Sequence, residues 1–245
     1  MIDYIAYSKM LTLQVDMCFP FEYGFYRKIG LENLNQITEI GCGNGYFLKT
    51  LSEYYTKPKY LGFDHSVELI KMAQTGSEKI NFRVGSVEFL DNTADLLILR
   101  LIMHQLENRK NFIAKLSEIL PSTSQVVIID AFDEHFQLTP ELPAFNEHLK
   151  KHREALSPNT ASRSIKHFIE QEMNEFSFYL DKSNYYYVPS LLPDYKEKYY
   201  KYMLSTSMIL GCHQNVLDEI NTWREDPYAY AQIGIFMYCF KKLKK

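Results

Sequence analysis

The chain has 245 residues, 46% of them hydrophobic, which is enough for one large core and excludes disorder over most of its length. A formal net charge of −3, with the dense basic run confined to the terminal KKLKK, leaves no footprint for a polyanion and disfavours nucleic acid and anionic membrane as partners. Cys18, Cys42, Cys212 and Cys239 show no CxxC spacing, so no metal site or disulfide framework is expected and a reducing, cytoplasmic setting fits best.

The N-terminus lacks a basic start followed by a clean apolar stretch, and DLLILRLIMHQL is broken by Arg100, so neither a signal peptide nor a spanning helix is expected. From residue 36 onward, short apolar runs alternate with longer amphipathic ones. QITEIG (36–41), KYLGFD (59–64), INFRVG (80–85), ADLLILR (94–100) and QVVIIDAF (125–132) read as strands. Between them GYFLKTLSEYY, SVELIKMAQTG and NRKNFIAKLSEILP carry apolar residues at helical spacing, with Gly76 and Pro121 close behind two of the ends. Repeated strand and helix units of this kind make a doubly wound α/β sheet.

After Ala131 the rhythm changes. FDEHFQLTPELPAFNEHLKKHREALSPN reads as a helical insertion and a helix follows over about 161–173; FSFYL and YYYVPS then form one interrupted strand region. Helical stretches around 194–223 precede a last strand, YAQIGIFMYCFKK. No repeat or low-complexity linker appears, so the chain reads as one domain with additions.

The first strand-to-helix turn, IGCGNGYF, places Gly41, Gly43 and Gly45 on alternate positions. Glycines there let the backbone approach a ligand at the carboxyl end of the sheet, beside the N–H groups that open the next helix. A dinucleotide loop of the G-x-G-x-x-G type would put its third glycine on Tyr46, which weakens that reading. The next strand ends at Asp64, where a carboxylate can accept hydrogen bonds from ribose hydroxyls, so an adenosine group is supported either way.

ITEIGCGNGYFLKTL resembles motif I (E/D-x-G-x-G-x-G) of the class I S-adenosylmethionine-dependent methyltransferases, and the later motifs keep that family's order. YLGFDHSVELIKMA resembles its second-strand motif, FRVGSVEFL its adenine-lining loop, ADLLILRLIMHQLEN its fourth-strand motif and ILPSTSQVVIIDAF its fifth strand. The resemblance, over roughly residues 25–132, implies a Rossmann-like, mostly parallel seven-stranded sheet with N-terminal helices and a helical cap insertion. It divides the single domain into an N-terminal helical lid (1–30), a cofactor-binding core (31–132), a helical cap with the sixth-strand region (133–228) and the last strand (229–241).

By the same resemblance the cofactor is S-adenosyl-L-methionine and the product S-adenosyl-L-homocysteine. Glu39 and the loop of Gly41, Cys42, Gly43, Asn44 and Gly45 would lie against the methionine part, Asp64 with His65 at the ribose, and Gly85, Ser86 and Val87 at the adenine. The main chain at Arg100 would meet the cofactor amino group. Ser86 stands where many members carry Asp, and Gln105 stands second in the HQL that follows strand four.

The implied reaction moves a methyl group to an O, N or C atom of a small organic acceptor. An activated sulfonium methyl needs mainly an acceptor lone pair held in line, and a base where a proton must leave. His104, after strand four, is the first candidate base; His135, just after strand five, is the second, with Asp130 and Asp133 beside it. The Arg100 side chain either reaches the cleft or pairs with an acid such as Glu39 or Glu107. Tyr4 and Tyr7 in the N-terminal segment and Arg163 in the cap are candidate acceptor contacts. Two other readings stay open, a protein side-chain methyltransferase and a catalytically inactive S-adenosylmethionine-binding regulator; the oligomeric state, a homodimer included, is not fixed by the sequence.

Overall fold

Runs without a polar interruption form the middle of the sheet. In the computed structural model, which describes residues 2–76, 78–90, 93–131, 136–156 and 165–243, β4 (Leu96–Arg100) and β5 (Gln125–Ala131) pair in parallel. Leu96, Leu97, Ile98 and Leu99 of β4 and Val126, Val127, Ile128 and Ile129 of β5 have no exposed surface. Burial of both faces is what a parallel sheet with helices on either side requires.

β1 (Gln36–Ile40), β2 (Lys59–Asp64) and β3 (Ile80–Val84) extend the sheet in parallel on one side, in the order β3-β2-β1-β4-β5. On the other side β8 (Tyr230–Lys242) runs antiparallel to β5, and β7 (Phe178–Pro189) lies antiparallel along the far edge of β8. These are the seven strands of the doubly wound α/β fold expected from the sequence.

An eighth strand, β6 (Gln137–Thr139), pairs with Tyr230, Ala231 and Gln232 of β8, in line beyond the end of β5. It lies where the sequence reads as a helical insertion, because three residues are too few to show the alternation of a strand. The interrupted region of the sequence reading closes into a single twelve-residue strand, β7, with a register irregularity between Leu180 and Lys182. β7 is an edge strand, so its polar DKSN stretch can stay at the surface while Tyr186 and Val188 are buried.

Helices cover both faces. α4 (Arg109–Ile119) and α6 (Ile165–Glu175) enclose one core with Leu97, Leu99, Ile113, Leu116, Ile169 and Phe240. The other face carries α1 (Tyr4–Ile29), α2 (Tyr46–Tyr54), α3 (Val67–Gln74), α7 (Tyr195–Met208) and α8 (Gln214–Glu225), with Met17, Phe47, Ile98, Tyr199 and Trp223 at the centre. α5 (Pro143–Leu156) packs on α7 and α8. Among the described residues no helix is long and apolar enough to cross a membrane.

α1 is the longest helix and ties the sheet to the additional helices. Asp3 caps it by accepting from the amides of Ile5 and Ala6, and Gly30, at φ 78°, ends it. Pro20 interrupts its ladder, since a proline cannot donate to the carbonyl of Asp16; that carbonyl accepts from Lys198 Nζ of α7 at 3.3 Å.

Two residues further, Glu22 points into the protein with no exposed surface. Its carboxylate accepts from Arg100 at the end of β4 (Nη2 at 3.1 Å, Nε at 3.5 Å), from Tyr26 at 2.9 Å and from Tyr186 of β7 at 2.8 Å. The guanidinium also lies 5.2 Å from the centre of the Phe47 ring of α2. Burial, the largest single effect, favours a neutral guanidine, but Glu22 together with Cys18, Tyr186 and Tyr26 outweighs it and holds Arg100 protonated above its ordinary range.

Replacing Glu22 by Ala leaves a buried cation without a counter-charge, and chemical denaturation is expected to show a loss of about 3–5 kcal/mol. The double variant Glu22→Leu/Arg100→Met should recover most of that loss, because it removes both charges and keeps the volume filled.

Candidate active site

β1 is flanked by β2 on one side and β4 on the other, so the strand order reverses there and a crevice opens beyond their carboxyl ends. The glycine loop fills the mouth of β1. Gly41 and Gly43 take the left-handed conformation, at φ 77° and 54°, which a side chain would strain. A Cβ on Gly41 would come within 2.4 Å of Ile102, and one on Gly43 within 2.7 Å of Leu11 of α1. The amides of Gly41 and Cys42 donate to the carbonyl of Phe63, binding the loop to β2.

Two acids face this loop from neighbouring strands. Asp64, at the end of β2, accepts from the Gly43 amide at 2.8 Å and from the Ser66 amide at 2.9 Å, so it sets the loop and starts α3 together. Glu39, in β1, is buried and its Oε2 has no hydrogen-bond partner. Burial pushes its carboxyl well above the ordinary 4.5; Arg100 opposes this, while Asp64 and Glu22 reinforce it. Arg100 is engaged by Glu22, so Glu39 is left as a buried acid without a dedicated cation.

α1 roofs the loop. The Asn44 amide donates to the Ser8 carbonyl (3.0 Å), Ser8 Oγ (2.9 Å) and Thr12 Oγ1 (3.0 Å), and the Tyr46 hydroxyl donates to Asp16 at 2.9 Å. The Asn44 side chain thus ties the glycine loop to α1. Cys42 lies buried against Gly62, its thiol pushed well up by burial, and serves as a small packing residue.

Tyr7 stands over the same end of β2: burial, then the nearby Asp64 charge, push its phenol up to about 12. Tyr4 is half-buried one turn before it. The His65 side chain is 92% exposed, its ring 3.6 Å from Asp64. Gly85 and Ser86 are half-buried after β3, and Val87 is buried.

The Arg100 side chain turns away from solvent to Glu22, not to Glu39 or Glu107 as the sequence reading offered. Beyond it Leu101, at φ 57°, adopts a conformation uncommon for a residue with a side chain. This turn carries Ile102 over Gly41 and brings His104 against Asp130: ring Nδ1 lies 2.8 Å from Asp130 Oδ1, and the His104 amide donates to Oδ2 at 3.3 Å. His135, Asp133 and Arg163 fall outside the described residues.

Glu22 and Asn44 as a helix anchor were not foreseen. A lone acid in the aromatic run CFPFEYGFYRK, four residues before Tyr26 and so on its helical face, was the available signal for the first. The second had none, since asparagine in a glycine loop is ordinary turn chemistry.

Residues 38–128 match the methyltransferase domain family. Over 143 residues, 49% of this chain and 55% of the relative, the sequence is 27% identical to the malonyl-[acyl-carrier protein] O-methyltransferase of Anoxybacillus flavithermus; the chain spans about half the length of that curated relative. Among solved structures, a candidate methyltransferase of Bacillus halodurans C-125 shares the fold with a TM-score of 0.60 at 14% identity, over 90% of this chain and 98% of that one. Phosphoethanolamine N-methyltransferase 2 of Haemonchus contortus, in complex with S-adenosyl-L-methionine, shares it with a TM-score of 0.53 at 14% identity, over 86% and 49%.

A carboxyl whose folded-state pKa is raised binds its proton more tightly in the native than in the unfolded protein, so stability falls as pH rises above the unfolded value. Thermal melts of Glu39→Gln and the parent protein should therefore diverge, the variant gaining relative stability as pH rises above about 5.

Proposed function

We propose that the chain is a class I, Rossmann-like methyltransferase that depends on S-adenosylmethionine and transfers the methyl group to an O, N or C atom of a small organic acceptor held beneath α1 and the helices of residues 133–228. The observation that carries this reading is the buried Glu39 Oε2 without a partner, set behind a glycine loop that admits no side chain at Gly41 or Gly43. An acid of that kind suits a ligand that brings its own positive charge, as the cofactor does with its ammonium group.

The cofactor supplies a methyl group bound to a positively charged sulfur. Glu39 and the Gly41 to Gly45 backbone would hold its amino-acid part, Asp64 its ribose, and Gly85, Ser86 and Val87 its adenine. Asp64 uses both oxygens on backbone amides, yet each carboxylate oxygen has a second lone pair for a hydroxyl. Tyr7 and Leu11 would close the crevice from above and keep water from the reacting atoms. Tyr7 is proposed to border the ribose side as well as the acceptor, since it lies by Asp64. His104, half-exposed at the end of β4, would face the acceptor.

Titration calorimetry with S-adenosylhomocysteine tests the reading: binding is expected, and its absence overturns it. Asp64→Ala should weaken that binding by about 1.5–3 kcal/mol, the value of charge-assisted bonds to the ribose.

A further inference from the structure

Glu22 of α1, Glu39 of β1, Asp64 of β2 and Arg100 of β4 gather behind the glycine loop, all of them buried. Their partners are divided unequally. Glu22 takes the guanidinium at 3.1 Å, with the hydroxyls of Tyr26 and Tyr186. Asp64 takes the amides of Gly43 and Ser66. Glu39 Oε2 takes nothing, although the residue keeps only 2% of its surface.

The strand register sets Glu39 beside the loop. It pairs with Gly62 of β2, and paired residues of neighbouring parallel strands project to the same face of the sheet. That face of Gly62 is covered by Cys42 of the loop, whose Sγ lies 2.9 Å from where a Cβ on Gly62 would stand. The Glu39 side chain therefore leaves β1 on the side that Cys42 occupies.

One cation does not balance three buried acids, and the acid with neither a hydrogen bond nor a cation of its own is the one that takes up a proton. Burial acts on Glu39 in that direction, Asp64 and Glu22 add to it, and Arg100 opposes it. The other titratable groups that bear on Glu39 are Tyr26 of α1 and Cys42, both pushed well up by burial and so neutral near pH 7. We propose that Glu39 is a neutral carboxylic acid in the free protein and gives up its proton when the cofactor's ammonium group is bound, so that the crevice selects its ligand by exchanging a proton for a cation. This rests on the methyltransferase reading above and adds a proton count to it. One proton passes from the Glu39 carboxyl to solvent, the ammonium keeps its own protons, and the charge that appears on Glu39 is matched by the charge that arrives with the ligand. An adenosine ligand without the amino-acid part brings no such cation and leaves the proton in place.

Titration calorimetry of the whole chain with S-adenosylhomocysteine, at about pH 6.5 in phosphate and again in imidazole, a buffer of large ionisation enthalpy, reads the proton count. About one proton released per ligand is expected in the parent protein, and none in Glu39→Gln or with 5′-methylthioadenosine. Between about pH 5.5 and about pH 7, below the titration of the ligand's amine, the parent's affinity should climb by up to about tenfold per pH unit. That slope should fall away in Glu39→Gln, which keeps Asp64 and the His65 ring beside it unchanged. Infrared difference spectra should show the carbonyl band of a protonated carboxyl disappearing as S-adenosylhomocysteine binds to the parent and not to Glu39→Gln, a change that a merely structural role for Glu39 would not produce. Binding without proton release, or release that persists in Glu39→Gln, overturns the proposal and leaves the methyltransferase reading standing. No binding of S-adenosylhomocysteine by the parent sinks both.

Discussion

Burying the Glu22 carboxylate without compensation would cost several kcal/mol, and four separate elements are held where they supply what it needs. α1 brings the acid and Tyr26, β4 brings Arg100, β7 brings Tyr186, and α2 lays Phe47 against the cation. Apart from the Tyr26 bond within α1, each contact in this set joins groups from different elements. The knot forms only when the N-terminal helix, the centre of the sheet and its antiparallel edge are all in place, which makes it a test of correct assembly more than a source of net stability.

The same knot sets the electrostatics of the crevice. Because Arg100 is committed to Glu22, its charge only partly relieves Glu39, which lies on the strand next to that of Asp64 and close to all three groups. The free protein therefore keeps an acid whose charge is unfavourable until a cation arrives. Under the proposed function, withholding a cation from Glu39 suits the crevice to a positively charged ligand.

What could be read from sequence follows from the range of the interactions concerned. β1 to β5, the glycine turn and Asp64 are written in runs of five to seven residues, where periodicity and turn chemistry act locally. The partner of Arg100 is 78 residues away, and nothing local in the sequence favours Glu22 over Glu39 or Glu107. Asn44 has the look of a loop residue whichever way its amide points, and β6 is shorter than the period that would reveal it. Local order was legible, and contacts between distant elements were not.

The break in α1 at Pro20 separates two kinds of attachment along one helix. Before it, Ser8, Thr12 and Asp16 hold the glycine loop through Asn44 and Tyr46, and Leu11 lies over Gly43; after it, Glu22 and Tyr26 are locked into the core. Any molecule that enters or leaves the crevice past Gly43 has to displace Leu11, and the helix is weakest between that side chain and its anchor. Pro20 thus lets one helix serve two masters, its front half fitted to the glycine loop and its rear half to the core, without a single unbroken hydrogen-bond ladder forcing the two to share one alignment.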